Sequence, residues 1–118
     1  MSGIAELVKQ LDNDTIANED LIICMKDYNY GVIVKAMFKA IERYYCNDEI
    51  VNRLAELSNL MKDSKFIGPW QMGHVALATL SILDNDGATK KFSELVENLS
   101  ENDKFLVENF IKTEAYKE

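Results

Sequence analysis

The sequence predicts an all-α protein of about seven helices, packed as stacked antiparallel pairs or as a compact bundle. Three observations carry this. Apolar residues recur three and four positions apart through most of the chain, the spacing of one helix face. Strict apolar–polar alternation, the mark of a half-buried strand, is absent. Finally, Met25-Lys26-Asp27 recurs as Met61-Lys62-Asp63, 36 positions later, each copy ending one apolar run and preceding another. A period of this size suggests helix pairs too small to bury their own apolar faces, which stack to do so.

The first helix is expected over Ile4–Leu11, capped by Ser2, with Ile4, Leu7, Val8 and Leu11 on one face and Asn13-Asp14 as the break. Asn18 is placed to cap the second, which runs to Met25 and buries Leu21, Ile22, Cys24 and Met25. Glu19 and Asp20 then suit the positive end of its dipole. After the loop Lys26–Asn29, a third helix runs from Tyr30 to Tyr45 with Ile33, Met37, Phe38, Ile41 and Tyr45 as its stripe. Asn47 caps the fourth, which carries Ile50, Leu54, Leu57, Leu60 and Met61 inward.

Gly68-Pro69 reads as the opening of the fifth helix, because proline at the first helical position loses no hydrogen bond. Val75–Leu83 is apolar nearly all round, with Gly73, Ala76 and Ala78 small enough for close approach, and is expected to be the central helix. Asn85-Asp86-Gly87 reads as a turn before a sixth helix, Ala88–Leu99, burying Phe92, Leu95, Val96 and Leu99. Ser100-Glu101-Asn102-Asp103 resembles a capping box for the seventh, which buries Phe105, Leu106 and Phe110. Helices two–three, four–five and six–seven would form three hairpins.

A chain of 118 residues makes one domain, spanning 1–118, and can bury an ordinary core without disulfides or metal. The formal charge is −7, from 20 acidic and 13 basic residues. Residues 1–20 hold Glu6, Asp12, Asp14, Glu19 and Asp20 against Lys9 alone. Such a field repels phosphate backbones and favours basic partners, so nucleic acid is not an expected ligand. The N-terminus lacks a basic start followed by an apolar core, so no signal peptide is expected. Val75–Leu83 is too short to span a bilayer. Cys24 and Cys46, both among apolar residues, fit reduced thiols in a cytoplasmic protein.

No catalytic set emerges. His74 is the only histidine and lies in the most apolar helix without a visible orienting carboxylate, so it reads as a buried, hydrogen-bonded structural residue. Gly68 to Gly73 has phosphate-loop glycine spacing but lacks the Lys and Ser/Thr that hold phosphate and magnesium. Glu94, Glu97 and Glu101 share a helix face that reads as solvated rather than metal-binding. No cofactor and no metal are expected. Asp27-Tyr28-Asn29-Tyr30 and Asp63-Ser64-Lys65-Phe66 occupy matching places, and stacking would bring them to one edge, followed by Trp70. Aromatic residues beside carboxylates are typical interface anchors. The plainer alternative has Tyr30, Phe66 and Trp70 fastening helix starts to the core.

The helix-pair period and the segment "FIGPWQMGHVALATLSIL" resemble HEAT-like repeats, and the chain is similar to small all-helical bacterial immunity proteins. That resemblance, over residues 16–99, implies a non-enzymatic inhibitor, monomeric when free, that covers the active site of a basic secreted toxin, possible nucleases included. Acidic side chains would stand in for substrate phosphates. The partner-binding residues expected are Glu19, Asp20, Asp27, Tyr28, Tyr30, Asp63 and Trp70. A HEAT-like adaptor in a larger assembly is the alternative. A helical-repeat repair enzyme would need a basic face that the sequence does not supply.

Overall fold

In the computed structural model, which describes residues 3–61 and 66–117, short polar side chains set most of the helix starts. Helix α1 spans Ile4–Asp12, and a 3-10 turn at Asn18–Asp20 leads into the short α2, Leu21–Met25. Asn29 opens α3, Tyr30–Arg43, by accepting a hydrogen bond from the Val32 N–H at 3.3 Å. Asn47 opens α4, Asp48–Leu57, through the Ile50 N–H at 2.9 Å. Each such bond satisfies a donor that the first helical turn leaves free.

The chain then makes a hairpin of two very short antiparallel strands, β1 Phe66–Ile67 and β2 Trp70–Gln71, with Ile67 opposite Trp70. This corrects the expectation for Gly68-Pro69, which form the hairpin turn rather than a helix start. Gly68 has φ +65°, and proline's fixed ring then suits the second turn position, the pattern of a type II′ turn. A Cβ on Gly68 would also meet the Trp70 ring at 3.3 Å. Helix α5, Met72–Ile82, begins after Gln71. Helix α6, Asp86–Val96, is capped by Asn85, so Asp86 and Gly87 lie in its first turn and not in a preceding loop. Helix α7, Glu101–Thr113, is capped by Ser100 through the Asp103 N–H. A final 3-10 turn covers Ala115–Lys117.

Every residue of α5 from Met72 to Leu80 is buried. Helices α3, α4, α6 and α7 all pack on it, as the apolar sequence requires of a helix with no polar face. The protein is therefore all-α, with seven α-helices among the described residues. Of the two arrangements the sequence left open, a bundle gathered round α5 is the one observed. The α2–α3 and α4–α5 pairs form as expected, whereas α6 packs on α4 and α5, and α7 on α5, with little contact between α6 and α7. The methionines that open the two Met-Lys-Asp copies do not hold equivalent places. Met25 is the last residue of α2, whereas Met61 lies beyond the end of α4 and is followed by the hairpin.

Phe105, expected inside, is 55% exposed. It stands two positions before buried Val107, about 200° round the helix, so it faces away from the core. Phe110 is fully buried instead, and gathers Trp70 edge-on at 5.0 Å, with Phe38 and Tyr116 at 6.1 and 6.2 Å. Among the described residues no α-helix ends on glycine, and a left-handed residue stands at or just past four of the ends: Asp14, Tyr44, Asp84 and Glu114. Tyr44 (φ 51°) and Glu114 (φ 53°) are both left-handed, a conformation that costs a non-glycine residue about 1 kcal/mol. At Tyr44 the end is a Schellman motif, with Tyr45 N–H donating to Ala40 C=O and Tyr44 N–H to Ile41 C=O. Among the described residues no helix is long and apolar enough to cross a membrane.

The approach of α5 to the end of α4 depends on Gly73, whose N–H donates to Leu60 C=O at 2.9 Å. A Cβ there would lie 2.8 Å from Ser58 C=O oxygen and would collide with the Met61 side chain. Gly73→Ala should therefore lower stability by about 1–3 kcal/mol, read as a reduced urea midpoint at unchanged slope.

Asp14 joins α1's end to α3 through Lys39 and Arg43, each at 2.9 Å. Lys39 first, then Arg43, hold its carboxyl below the ordinary carboxylate value. Glu42 first, then Asp14, raise the Lys39 ammonium above the ordinary lysine value. A carboxyl with a lowered folded pKa stabilises above its unfolded value and loses that contribution as pH falls through the folded one. A raised lysine stabilises below its unfolded value and loses the contribution as pH rises through the folded one. This network should therefore act undiminished from about pH 5 to 9, and weaken below about 4 and above about 10.5. Asp14→Asn should flatten the acid limb of a stability–pH profile relative to the wild type.

Candidate functional site

The chain has only two arginines, and both are spent on fixing the segment that carries the acidic and aromatic candidates. The Arg43 guanidinium reaches from α3 to the loop before α2. It donates to Ile16 C=O at 2.7 Å, to Asn18 Oδ1 at 2.9 Å and to Asp14 Oδ1 at 2.9 Å. Asn18 therefore accepts from an arginine and does not cap a helix. Arg53, from α4, donates through Nε to Met25 C=O at 2.8 Å, satisfying a carbonyl at the end of α2. A fork of fixed donors suits this task better than a lysine's single rotating ammonium. Sequence reasoning missed both roles, and the scarcity of arginine was the one available signal.

Between these two anchors lies an acidic edge. Glu19 is exposed, Asp20 and Asp27 are half-buried, and Ile23 is 48% exposed on the outer side of α2. Tyr28 stands 95% exposed at the tip of the following loop. Asp27 accepts from the Asn29 N–H at 3.2 Å, which tightens the turn beneath Tyr28 before Asn29 caps α3. Asp20 and Asp27 both lie near the buried Cys24. Burial first, and these two carboxylates after it, push the Cys24 thiol above its ordinary value. This thiol is therefore an inert core group and no nucleophile. A shallow hollow of about 250 Å³, lined by Lys26, Glu49, Asn52, Arg53 and Glu56, adjoins the same edge.

The other expected contacts are placed differently. Tyr30 is half-buried and packs against the core at the start of α3. Trp70 is only 7% exposed, and its ring is committed to Phe110, so it fastens the hairpin to the core and offers no partner an anchor. The reason is local: the turn at Gly68-Pro69 folds the ring of Trp70 inward over α7. Among the described residues its indole N–H has no hydrogen-bond partner. Asp63, like Lys62, Ser64 and Lys65, lies outside the described residues. The structure thus brings Glu19, Asp20, Asp27 and Tyr28 into one short segment, with Tyr30 next to it, and leaves Trp70 out.

His74 is 2% exposed. Its Nδ1 accepts from the Gln71 N–H at 3.1 Å, as half of a capping box that opens α5. A backbone N–H only donates, so the ring proton sits on Nε2, which bonds Asp103 Oδ1 at 2.8 Å. The carboxylate that the sequence did not show beside His74 comes from α7, 29 residues away. Asp103 therefore joins α7 to α5 and does not complete the reciprocal half of its own helix's capping box. With both ring nitrogens engaged inside the core, His74 has no free atom to exchange a proton with a substrate. Asp103→Ala should cost about 1–3 kcal/mol of stability, read by chemical denaturation, with partner affinity unchanged.

Among the described residues no three His, Cys, Asp or Glu side chains are grouped to hold a metal ion. Glu94 and Glu101 pair with Lys91 and Lys104 on the surface, and Glu97 is exposed, so this row is a solvated face. No family model matches the sequence, and neither a curated protein nor a solved structure is similar to it.

Proposed function

We propose that this chain is a non-enzymatic, protein-binding inhibitor that docks through residues 19–28, in the manner of an immunity protein that covers the active site of a basic secreted bacterial toxin. The observation that carries this reading is Tyr28, 95% exposed on a loop held at both flanks, next to Asp27 and one short helix away from Glu19 and Asp20. An aromatic side chain with so little packing in its own fold is poised to fill a pocket in a partner. The carboxylates around it can take the place of substrate phosphates, and the net charge of −7 speeds encounter with a basic surface. Such a protein acts in the cytoplasm of the toxin's producer, as a monomer until it meets its target.

The test begins with capture from lysates of the source organism and its close relatives, followed by mass spectrometry and titration of the captured protein. A small basic toxin fragment held one-to-one would support the reading. Tyr28→Ala combined with Asp27→Asn should then weaken binding at least about tenfold, through a faster off-rate, and the affinity should fall with added salt. Unchanged affinity in that double variant would remove this edge from the interface. Capture of a large housekeeping assembly would replace the inhibitor with an adaptor.

A further inference from the structure

Helix α2 turns four of its five residues into the core, and the one left outside is an isoleucine. Leu21, Ile22, Cys24 and Met25 are buried, whereas Ile23 is 48% exposed. The helix itself does not call for an aliphatic side chain there, since serine has about the same helix propensity as isoleucine. A lone exposed hydrophobic residue is commonplace. This one, however, is followed five positions later by Tyr28, the most exposed of the large hydrophobic residues described. The chain between them is fixed at two points. Arg53 holds Met25 C=O at 2.8 Å, and Asp27 accepts from the Asn29 N–H at 3.2 Å. Ile23 and Tyr28 are thus presented from one ordered segment, with little backbone freedom left for a partner to remove.

The charges of this segment are open. Among the described residues, Glu19, Asp20 and Asp27 take part in no ion pair. On α1 and α3, by contrast, Asp12, Asp14 and Glu42 are each paired with a lysine or an arginine. Glu19 and Asp20 stand before α2 and Asp27 after it, so unpaired carboxylates lie at both ends of the helix that carries Ile23. The one cation of the segment, Lys26, lines the hollow that it shares with Glu49 and Glu56. A wholly apolar surface laid on this edge would strip water from the carboxylates and return nothing for it. An acidic surface would be repelled. The complement of both features is an apolar depression with cations at its border.

We infer that Ile23 is a second anchor of the docking edge, and that the partner face opposite it is an apolar depression bordered by lysine or arginine side chains. This rests on the reading of residues 19–28 as the docking edge and adds the chemistry of the face that meets it. Charge then governs the encounter and apolar contact governs the lifetime. Added salt slows association, while Ile23 and Tyr28 set the off-rate.

The probe is acetyl-Lys-Leu-Leu-Lys-amide, titrated into the full ¹⁵N-labelled chain. The expected result is saturable shifts confined to residues 19–29, with a Kd below about 5 mM. Acetyl-Lys-Gly-Gly-Lys-amide, which keeps the charge, and acetyl-Glu-Leu-Leu-Glu-amide, which keeps the apolar pair, should each bind at least about tenfold more weakly. Ile23→Ser should weaken the leucine probe at least about fivefold and leave the glycine probe unchanged, with the melting temperature within about 3 °C of the wild type. A structural role for Ile23 would instead lower the melting temperature and affect both probes alike. Absence of saturable shifts up to about 10 mM, shifts elsewhere on the surface, or equal binding of the leucine and glycine probes would each overturn the inference. Shifts at residues 19–29 that grow with protein concentration alone would make the occupant a second copy of this chain, and would overturn it too. In titrations of the captured partner, Ile23→Ser should speed dissociation at high salt. Loss of affinity in the Tyr28 and Asp27 double variant with none in Ile23→Ser would leave the docking edge standing and remove the second anchor.

Discussion

Helix α5 is the constraint on which the rest of the structure depends. A helix without a polar face cannot lie at a surface, and Met72–Leu80 is covered on every side. Four helices are recruited to cover it, and their positions follow from what α5 offers them. Gly73 lets the end of α4 come within backbone hydrogen-bonding distance. His74 adds a side-chain hydrogen bond, to Asp103 of α7. Thr79 needs no partner elsewhere, because its hydroxyl donates to Val75 C=O one turn back. This hydrogen bond between α5 and α7 adds direction to a packing that apolar contact alone would leave free to slide. It holds α7 where Phe110 can receive Trp70 from the hairpin and Phe38 from α3.

Much of this was legible in the sequence, and the parts that were not share a cause. The central helix was legible because an all-apolar run of that length has few other uses. The starts of α4 and α7 were legible because Asn47 and Ser100 precede them, and a cap acts within three residues. The misreadings concern residues whose role is decided by something distant. Gly68-Pro69 fits a helix start and a II′ turn equally well, and the position of the Trp70 ring over Phe110 goes with the second. Asp103 sits in a helix-capping pattern, yet its carboxylate is claimed by a histidine 29 residues away. Phe105 and Phe110 look alike in a window of seventh-helix residues, but only Phe110 is buried. The methionines of the Met-Lys-Asp repeat match in sequence without being equivalent, since Met25 ends a helix and Met61 follows one. Of the expected contacts, Glu19, Asp20, Asp27 and Tyr28 kept their shared neighbourhood because adjacency in sequence is enough to ensure it. Trp70 instead went with the core, because the hairpin turn sets its ring against Phe110.

The acidic edge illustrates how a segment with little stability of its own becomes a rigid surface. Helix α2 has five residues, far fewer than a helix needs to persist alone in water. It exists because Leu21, Ile22, Cys24 and Met25 are buried beneath it and because the two arginines hold its flanks from different helices. Ordering a loop at the moment of binding subtracts from affinity, typically by about 0.5–1.5 kcal/mol for each immobilised long side chain. Here the backbone below Tyr28 is ordered in advance: Asp27 closes the turn, Asn29 caps the next helix, and Arg53 fixes the preceding carbonyl. The freedom left to be lost belongs mainly to the tyrosine ring, which has two rotatable bonds. A binding protein of the kind proposed gains affinity by this route, through a surface whose ordering cost was met when the core formed around α5.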